Sequence, residues 1–293
     1  MVQPRNDGAG DTIIAGTLLL MTGLTFAALA GAVMKLLAQE LPIALIVWFR
    51  FAGFFALLLP IALFRFGAAV VRPSPLWLQI LRGSLLPLST AFFVLGARSM
   101  NYAEAIAVLY VYPFIITLVG PVLLGEPSRL VSWLGVCGGF AGIVLIAQPS
   151  LDGLRDPGAV WVLLCGLVVA MQMIMNRRLG RDINPWLTSL WGAGTAALLL
   201  TPLLPFAWTA LTLDQVLLLL LLGTLAAISQ TLFAIAFARA PAADLAPFAY
   251  TEIIAAVAIG FMVFGTLPSV VSWLGIGIVI GSGVLVARAQ GVR

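Results

Sequence analysis

There is no histidine in this chain, only one lysine, and two cysteines in 293 residues. Without histidine there is no His-ligated zinc site, no Ser-His or Cys-His nucleophile pair and no imidazole proton relay. Cys137 and Cys165 sit in apolar runs at no metal-like spacing, and both are expected to be small core residues. Charge is scarce as well. Charged residues make up 9% of the chain and hydrophobic ones 62%, against roughly 25% and 45–50% in soluble domains. A water-soluble globule of this length could not cover itself with so little charge. The net charge of +4 comes from arginines scattered among short connections, so it is not the footprint of a nucleic-acid protein. No Gly-x4-Gly-Lys-Ser/Thr pattern is present, which points away from ATP as an energy source.

What the chain has instead is itself, twice. Leu95 to Gly142 returns as Ile235 to Ser282 at an offset of 140. Glu104 falls on Asp244, Tyr110 on Tyr250, Gly120 on Gly260, and Val131-Ser132-Trp133-Leu134-Gly135 on Val271-Ser272-Trp273-Leu274-Gly275. Upstream the offset is 143, matching Gly23 with Gly166, Lys35 with Arg178, Pro42 with Pro185 and Trp48 with Trp191. Duplicated, almost wholly apolar units mark a secondary transporter built from internal repeats.

Apolar runs about one bilayer long cover 13–36, 42–64, 75–98, 103–124 and 130–148, then 158–179, 185–207, 214–238, 243–264 and 270–288. Pro73-Ser74-Pro75, Gly125-Glu126-Pro127, Asp156-Pro157, Asn184-Pro185 and Leu267-Pro268 punctuate them. Ala28-Leu29-Ala30 faintly resembles a signal-peptidase site, but the first run has a repeat partner and is expected to be retained. With the N-terminus inside, ten Lys/Arg fall on the cytoplasmic side and three (Lys35, Arg98, Arg155) outside, while Arg50 and Arg82 lie within spans. The expected fold is therefore an all-α integral membrane protein of ten transmembrane helices. Its repeats are 1–150 and 151–293, inverted because each has an odd number of spans, with both termini cytoplasmic.

Charges at bilayer depth cost about 2.5–3.5 kcal/mol on insertion scales and tend to face a cavity. Three stand out. Arg50 is expected near the outer third, to anchor a substrate carboxylate or to cap free backbone carbonyls. Arg82 and Glu252 are expected at similar depth nearer the inside, pairing as a gate or coupling element or as a static ion pair. Glu104 and Asp244 open their helices and suit the positive helix end. Tyr110, Pro113, Thr117, Gly120 and Pro121 share one face of the fourth span, matched by Tyr250, Ile253, Val257 and Gly260 on the ninth. Pro113 and Pro121 each remove a backbone donor, so the fourth helix should bend there and line a tyrosine-walled cavity. Trp161 and Trp208 fit interfacial anchoring. Gln172, Asn176, Ser229, Gln230 and Thr231 are candidate hydrogen-bonding groups for substrate, or interhelical glue. Gly135, Gly139 and Gly142, echoed by Gly277, Gly281 and Gly283, form a small-residue stripe for close packing within one chain or between two.

Five-plus-five spans, Tyr112-Pro113 in the fourth, Leu124-Gly125-Glu126-Pro127 after it, and Ser132-Trp133-Leu134-Gly135 opening a glycine-rich fifth resemble the drug/metabolite transporter superfamily, EamA-type branch. The second copy departs from the first: Thr266 follows Gly265, and Ile253 stands where the first copy has Pro113. Tyr110-Val111-Tyr112-Pro113-Phe114 and Ala249-Tyr250-Thr251-Glu252 are similar to bacterial exporters of aromatic and other neutral amino acids. The resemblance implies a non-enzymatic, cofactor-free secondary transporter of the bacterial inner membrane, monomeric or homodimeric, exporting amino acids by alternating access. Its substrate-binding residues would be Tyr110, Tyr112, Pro113, Tyr250, Arg50, Gln172, Asn176 and Gln230, and its gate or coupling pair Arg82 and Glu252. Export of drugs or other metabolites on the same fold is the alternative. The carboxylate that small multidrug exporters carry in the first helix is missing from 13–36.

Overall fold

The computed structural model describes residues 7–67, 70, 76–123, 130–150, 153–154, 156–179, 184–240 and 245–291. Backbone groups at bilayer depth have no water to bond and must close their bonds within the segment, so helix dominates. The chain runs α1 (Asp7–Leu37), α2 (Ile43–Phe66), α3 (Leu76–Ser99), α4 (Tyr102–Leu109), α5 (Tyr112–Leu123), α6 (Leu130–Ala147), α7 (Gly158–Leu179), α8 (Pro185–Leu200), α9 (Leu204–Ala207), α10 (Leu213–Arg239), α11 (Thr251–Phe264) and α12 (Val270–Gly291). Short 3₁₀ turns at Thr201–Leu203 and Ala246–Tyr250 lead into α9 and α11. A two-residue antiparallel ladder, β1 (Pro149–Ser150) on β2 (Gly153–Leu154), turns the chain between α6 and α7. Among the described residues, seven helical stretches are long and apolar enough to cross a bilayer; Trp133–Ala147, Phe248–Phe264 and Val270–Val286 are apolar but shorter. Phe64 is 96% exposed and Phe206 90%, a surface for hydrocarbon rather than water.

Local chemistry fixes the helix ends. Asn101 accepts the Ala103 N–H at 3.0 Å and Asn184 the Trp186 N–H at 2.9 Å, each satisfying an orphan donor of the first turn. Thr212 and Gln215 close a reciprocal capping box on α10. Gly265, at φ +64°, ends α11 in the left-handed conformation and returns its N–H to the Phe261 carbonyl. Lys35 donates at 2.5 Å to the carbonyls of Ala97 and Met100, a cation at the negative end of α3.

The packing partners come in pairs that interchange under the sequence repeat. α6 lies along α12, and α2 along α8; α1–α10 exchanges with α7–α3, and α2–α10 with α8–α3. Glycines set these approaches. A Cβ on Gly135 would meet the Ser282 carbonyl, and one on the repeat-equivalent Gly275 would meet the Gly142 carbonyl, so α6 and α12 touch backbone to backbone. Gly53 and Gly223 do the same for α2 and α10. The glycine stripe thus works within the chain at Gly135, Gly139, Gly142 and Gly283, whereas Gly277 and Gly281 face open space. Cys165 is buried as expected; Cys137 is exposed, because α6 turns Gly135, Gly138 and Gly142 toward its neighbours and Cys137 away from them.

Candidate functional site

Pro113 places the break in the first half. Its ring would strike the carbonyl four residues earlier, so α4 stops at Leu109, Tyr110 and Val111 form a turn, and α5 restarts at Tyr112. The interruption therefore precedes Pro113 rather than centring on the two prolines; Pro121 lies within α5, its side chain outside the described residues. Gly166 of α7 lets that helix close on the turn, since a Cβ there would meet Val111 and the Leu109 carbonyl. In the second half the irregular stretch is the 3₁₀ segment Ala246–Tyr250, which hands over to α11 at Thr251. Tyr110 and Tyr250, repeat equivalents, both stand at such junctions.

The two junctions meet. The Tyr110 and Tyr250 rings lie 5.1 Å apart and Tyr110 and Tyr112 5.5 Å apart. Tyr110 and Tyr250 are buried, so they fill the centre against each other rather than walling an open cavity, while Tyr112 is half-buried. The Tyr110 hydroxyl is 2.6 Å from the Ala249 carbonyl oxygen and 2.8 Å from Glu252 Oε2. The fourth tyrosine, Tyr102, is fully buried and donates to the Ala28 carbonyl over Gly31.

Arg50 comes to this cluster from α2. It interacts electrostatically with Glu252, Tyr102 and Cys165, which belong to three other helices, so its head lies inside the bundle. It is nonetheless only half-buried, as is Glu252. A guanidinium carries five N–H donors. Among the described residues the acceptor Arg50 meets is the Met34 sulfur at 3.2 Å, a weak one. Its other donors meet no acceptor among the described residues.

Among the described residues, Arg82 is seen bonded to α8 rather than to Glu252. Its Nη1 donates at 2.9 Å to the Thr188 carbonyl of α8, and its head lies beside Gly192. Glu252 is engaged by Tyr110 and by the field of Arg50 instead. The expected pairing rested on depth alone, and α3 turns Arg82 toward α8.

Gln172 also lies apart from the tyrosine cluster's bonds. It donates to the Leu85 carbonyl at 2.9 Å and to Ser89 at 3.0 Å, on either side of Pro87, joining α7 to α3. Replacing it with alanine is expected to cost about 1–3 kcal/mol of stability by leaving those buried acceptors unpaired, with the substrate KM unchanged. Thermal melting and transport on the same preparation read the two separately. The Asn176 side chain and Asp244 are outside the described residues. Gln230 is half-buried with Thr231 in a cleft beside Trp186 and Ser189, and the neighbouring Ser229 hydroxyl is buried without a hydrogen-bond partner among the described residues. Trp161 and Trp208 are exposed and pair with Phe92 and Phe49. At the end of the bundle that holds the α3–α4 turn, a cavity of about 310 Å³ is lined by Asn101, Glu104, Asp156 and Ser269 among others. Glu104 faces it, accepting a long 3.4 Å contact from the Ser269 N–H.

The sequence and fold have counterparts. Residues 14–148 and 156–288 each match the model of the EamA-like transporter family. A riboflavin transporter of Rhizobium johnstonii is 28% identical over 285 residues, 95% of this chain and 92% of that one. An S-adenosylmethionine uptake transporter of Rickettsia bellii is 23% identical over 223 residues, 76% of each. A solved crystal structure superposes with a TM-score of 0.65 at 19% identity, over 94% of this chain and 96% of the other, a likeness of fold.

Proposed function

Since the chain belongs to the EamA-like transporter family, and is with it a multi-pass membrane transporter of small metabolites, we propose that it carries a flat aromatic metabolite bearing carbonyl or carboxylate oxygens, with riboflavin as the leading candidate. The observation that carries this reading is Arg50, a half-buried guanidinium inside the bundle with spare donors, in range of Tyr102 and of Glu252, which in turn meets Tyr110 of the tyrosine cluster. A guanidinium fork suits paired or adjacent oxygens, and tyrosine rings suit a flat π-system. The riboflavin and S-adenosylmethionine relatives both carry names of ring-bearing metabolites, and neither name supports the expected export of amino acids. The ten-span arrangement, the inverted repeats 1–150 and 151–293, both termini in the cytoplasm, and a bacterial inner-membrane setting belong to this proposal. So does alternating access, with the halves rocking about the junction of Tyr110 and Tyr250.

One observation favours a second reading. Arg50 and Glu252, opposite in formal charge, are both half-buried and within electrostatic range of each other, and a zwitterion such as an aromatic amino acid could place its carboxylate and ammonium between them. Counterflow in proteoliposomes separates the two. Vesicles preloaded with unlabelled riboflavin are expected to accumulate labelled riboflavin saturably, and Arg50→Ala to abolish this. Exchange of labelled tryptophan or phenylalanine but not riboflavin would select the second reading. Movement of an organic cation alone would reject both.

A further inference from the structure

The contacts of one hydroxyl point to where a proton sits. Tyr110 has a single O–H, yet its oxygen lies at hydrogen-bond distance from two groups, the Ala249 carbonyl at 2.6 Å and Glu252 Oε2 at 2.8 Å. A carbonyl only accepts, and so does an ionised carboxylate. If Tyr110 donates to Glu252, the 2.6 Å approach to Ala249 sets two lone-pair oxygens against each other. If it donates to Ala249 and Glu252 is ionised, the same conflict falls on the 2.8 Å contact. Both contacts are satisfied when Glu252 is a neutral acid that donates to the Tyr110 oxygen while Tyr110 donates to Ala249.

We infer that Glu252 is a proton-binding site, occupied in this conformation, through which transport is coupled to the proton gradient, with Tyr110 as the positioning residue that reads its state. On release, the Glu252 O–H bond breaks, its electron pair stays on the carboxylate, and the proton passes to a water molecule that reaches the half-buried carboxyl. The Tyr110 O–H then turns from the Ala249 carbonyl to the carboxylate. That motion undoes a clasp between the broken helix of the first half and the 3₁₀ entry of the second, the places where the backbone is already irregular. Charge in the surroundings permits both states. Around Glu252 stand Tyr110 and Tyr102 on and beside α4, Tyr112 at the head of α5, Tyr250 before α11, and Arg50 from α2; on α1, Lys35 is engaged at the far end, over the Phe264 ring. A buried carboxyl with no cation in range holds its proton more tightly, and one in a direct ion pair gives it up more readily. Arg50 acts on Glu252 while the carboxyl's hydrogen bond goes to Tyr110, so the anion is stabilised enough to form during a cycle.

This inference rests on the transporter reading but its test needs no substrate. Infrared difference spectra of the purified full-length protein in lipid, recorded between acid and alkaline buffers, are expected to show the C=O stretch of a protonated carboxylic acid near neutral pH. That band should be lost in Glu252→Gln and shifted in frequency in Glu252→Asp and in Tyr110→Phe, where its hydrogen-bond partner has changed. A wild-type protein without the band near neutral pH, or a band that persists unaltered in Glu252→Gln, overturns the assignment. Should Glu252→Gln fail to fold, the shift in Tyr110→Phe decides: an unmoved band sinks the proposal. Failure of riboflavin to exchange leaves this spectrum untouched, so the two readings fail separately.

Discussion

Tyr110→Phe is expected to slow substrate counterflow by at least about tenfold, equivalent to about 1.4 kcal/mol, while the protein still reaches the membrane and stays folded. The substitution keeps the ring, and with it the contacts to Tyr112 and Tyr250 that fill the centre. It removes one oxygen, and that oxygen is the sole bond between the α4–α5 junction and the Ala249–Glu252 stretch among the described residues. A buried carbonyl and a carboxyl group lose their shared partner, which costs about 1–3 kcal/mol if no water replaces it. Tyr250→Phe is the matched control. It removes the repeat-equivalent hydroxyl, for which no hydrogen bond is found among the described residues, and is expected to leave the rate within about twofold, under about 0.5 kcal/mol. Equal losses in the two variants would mean that the ring pair matters for its packing and the hydroxyl bond does not.

The contrast between those two tyrosines marks where sequence reading stops. What the repeat encodes is backbone. Apolar run lengths and the Gly135/Gly275 crossing follow from short-range chemistry written twice and are legible in the chain, whereas the Asn101 and Asn184 caps stand in one copy each, opposite Pro241 and Leu41. The chemistry that breaks the symmetry was not. Under the 140-residue offset Tyr112 becomes Glu252, and under the 143-residue offset Arg50 becomes Ala193. A charge present in one copy only has no partner that the repeat can supply, and depth arithmetic is too coarse to supply one. Arg82 and Glu252 are expected at one depth, yet Arg82 bonds across to α8, because the rotation of α3 about its axis is set by packing against α7 and α8. Tyr102 and Met34 escaped notice for a plainer reason: each lies near a span end in an unremarkable setting, and only the fold brings them to Arg50.

The glycines of α12 carry the other large effect, and they divide sharply. A Cβ on Gly283 would stand 1.8 Å from Cζ of Tyr250 and 2.0 Å from its hydroxyl oxygen, well inside any permissible contact. Tyr250 has nowhere to retreat, since Tyr110 packs against it. Gly283→Ala is therefore expected to cost about 3 kcal/mol of stability, the upper end for overpacking a filled core, and to abolish transport in whatever protein survives. Gly277→Ala and Gly281→Ala, on the same helix, add a methyl where nothing lies within 4 Å and are expected to leave both properties unchanged. From sequence the three were interchangeable members of one stripe. Thermal melting of the three variants in one detergent checks the ranking. The combination of Gly283→Ala with Tyr250→Ala then separates packing from function: removing the ring makes room for the methyl and should restore most of the lost stability, yet transport should stay absent because the centre no longer closes. Recovery of transport together with stability would show that Tyr250 serves only to fill the space that Gly283 leaves open.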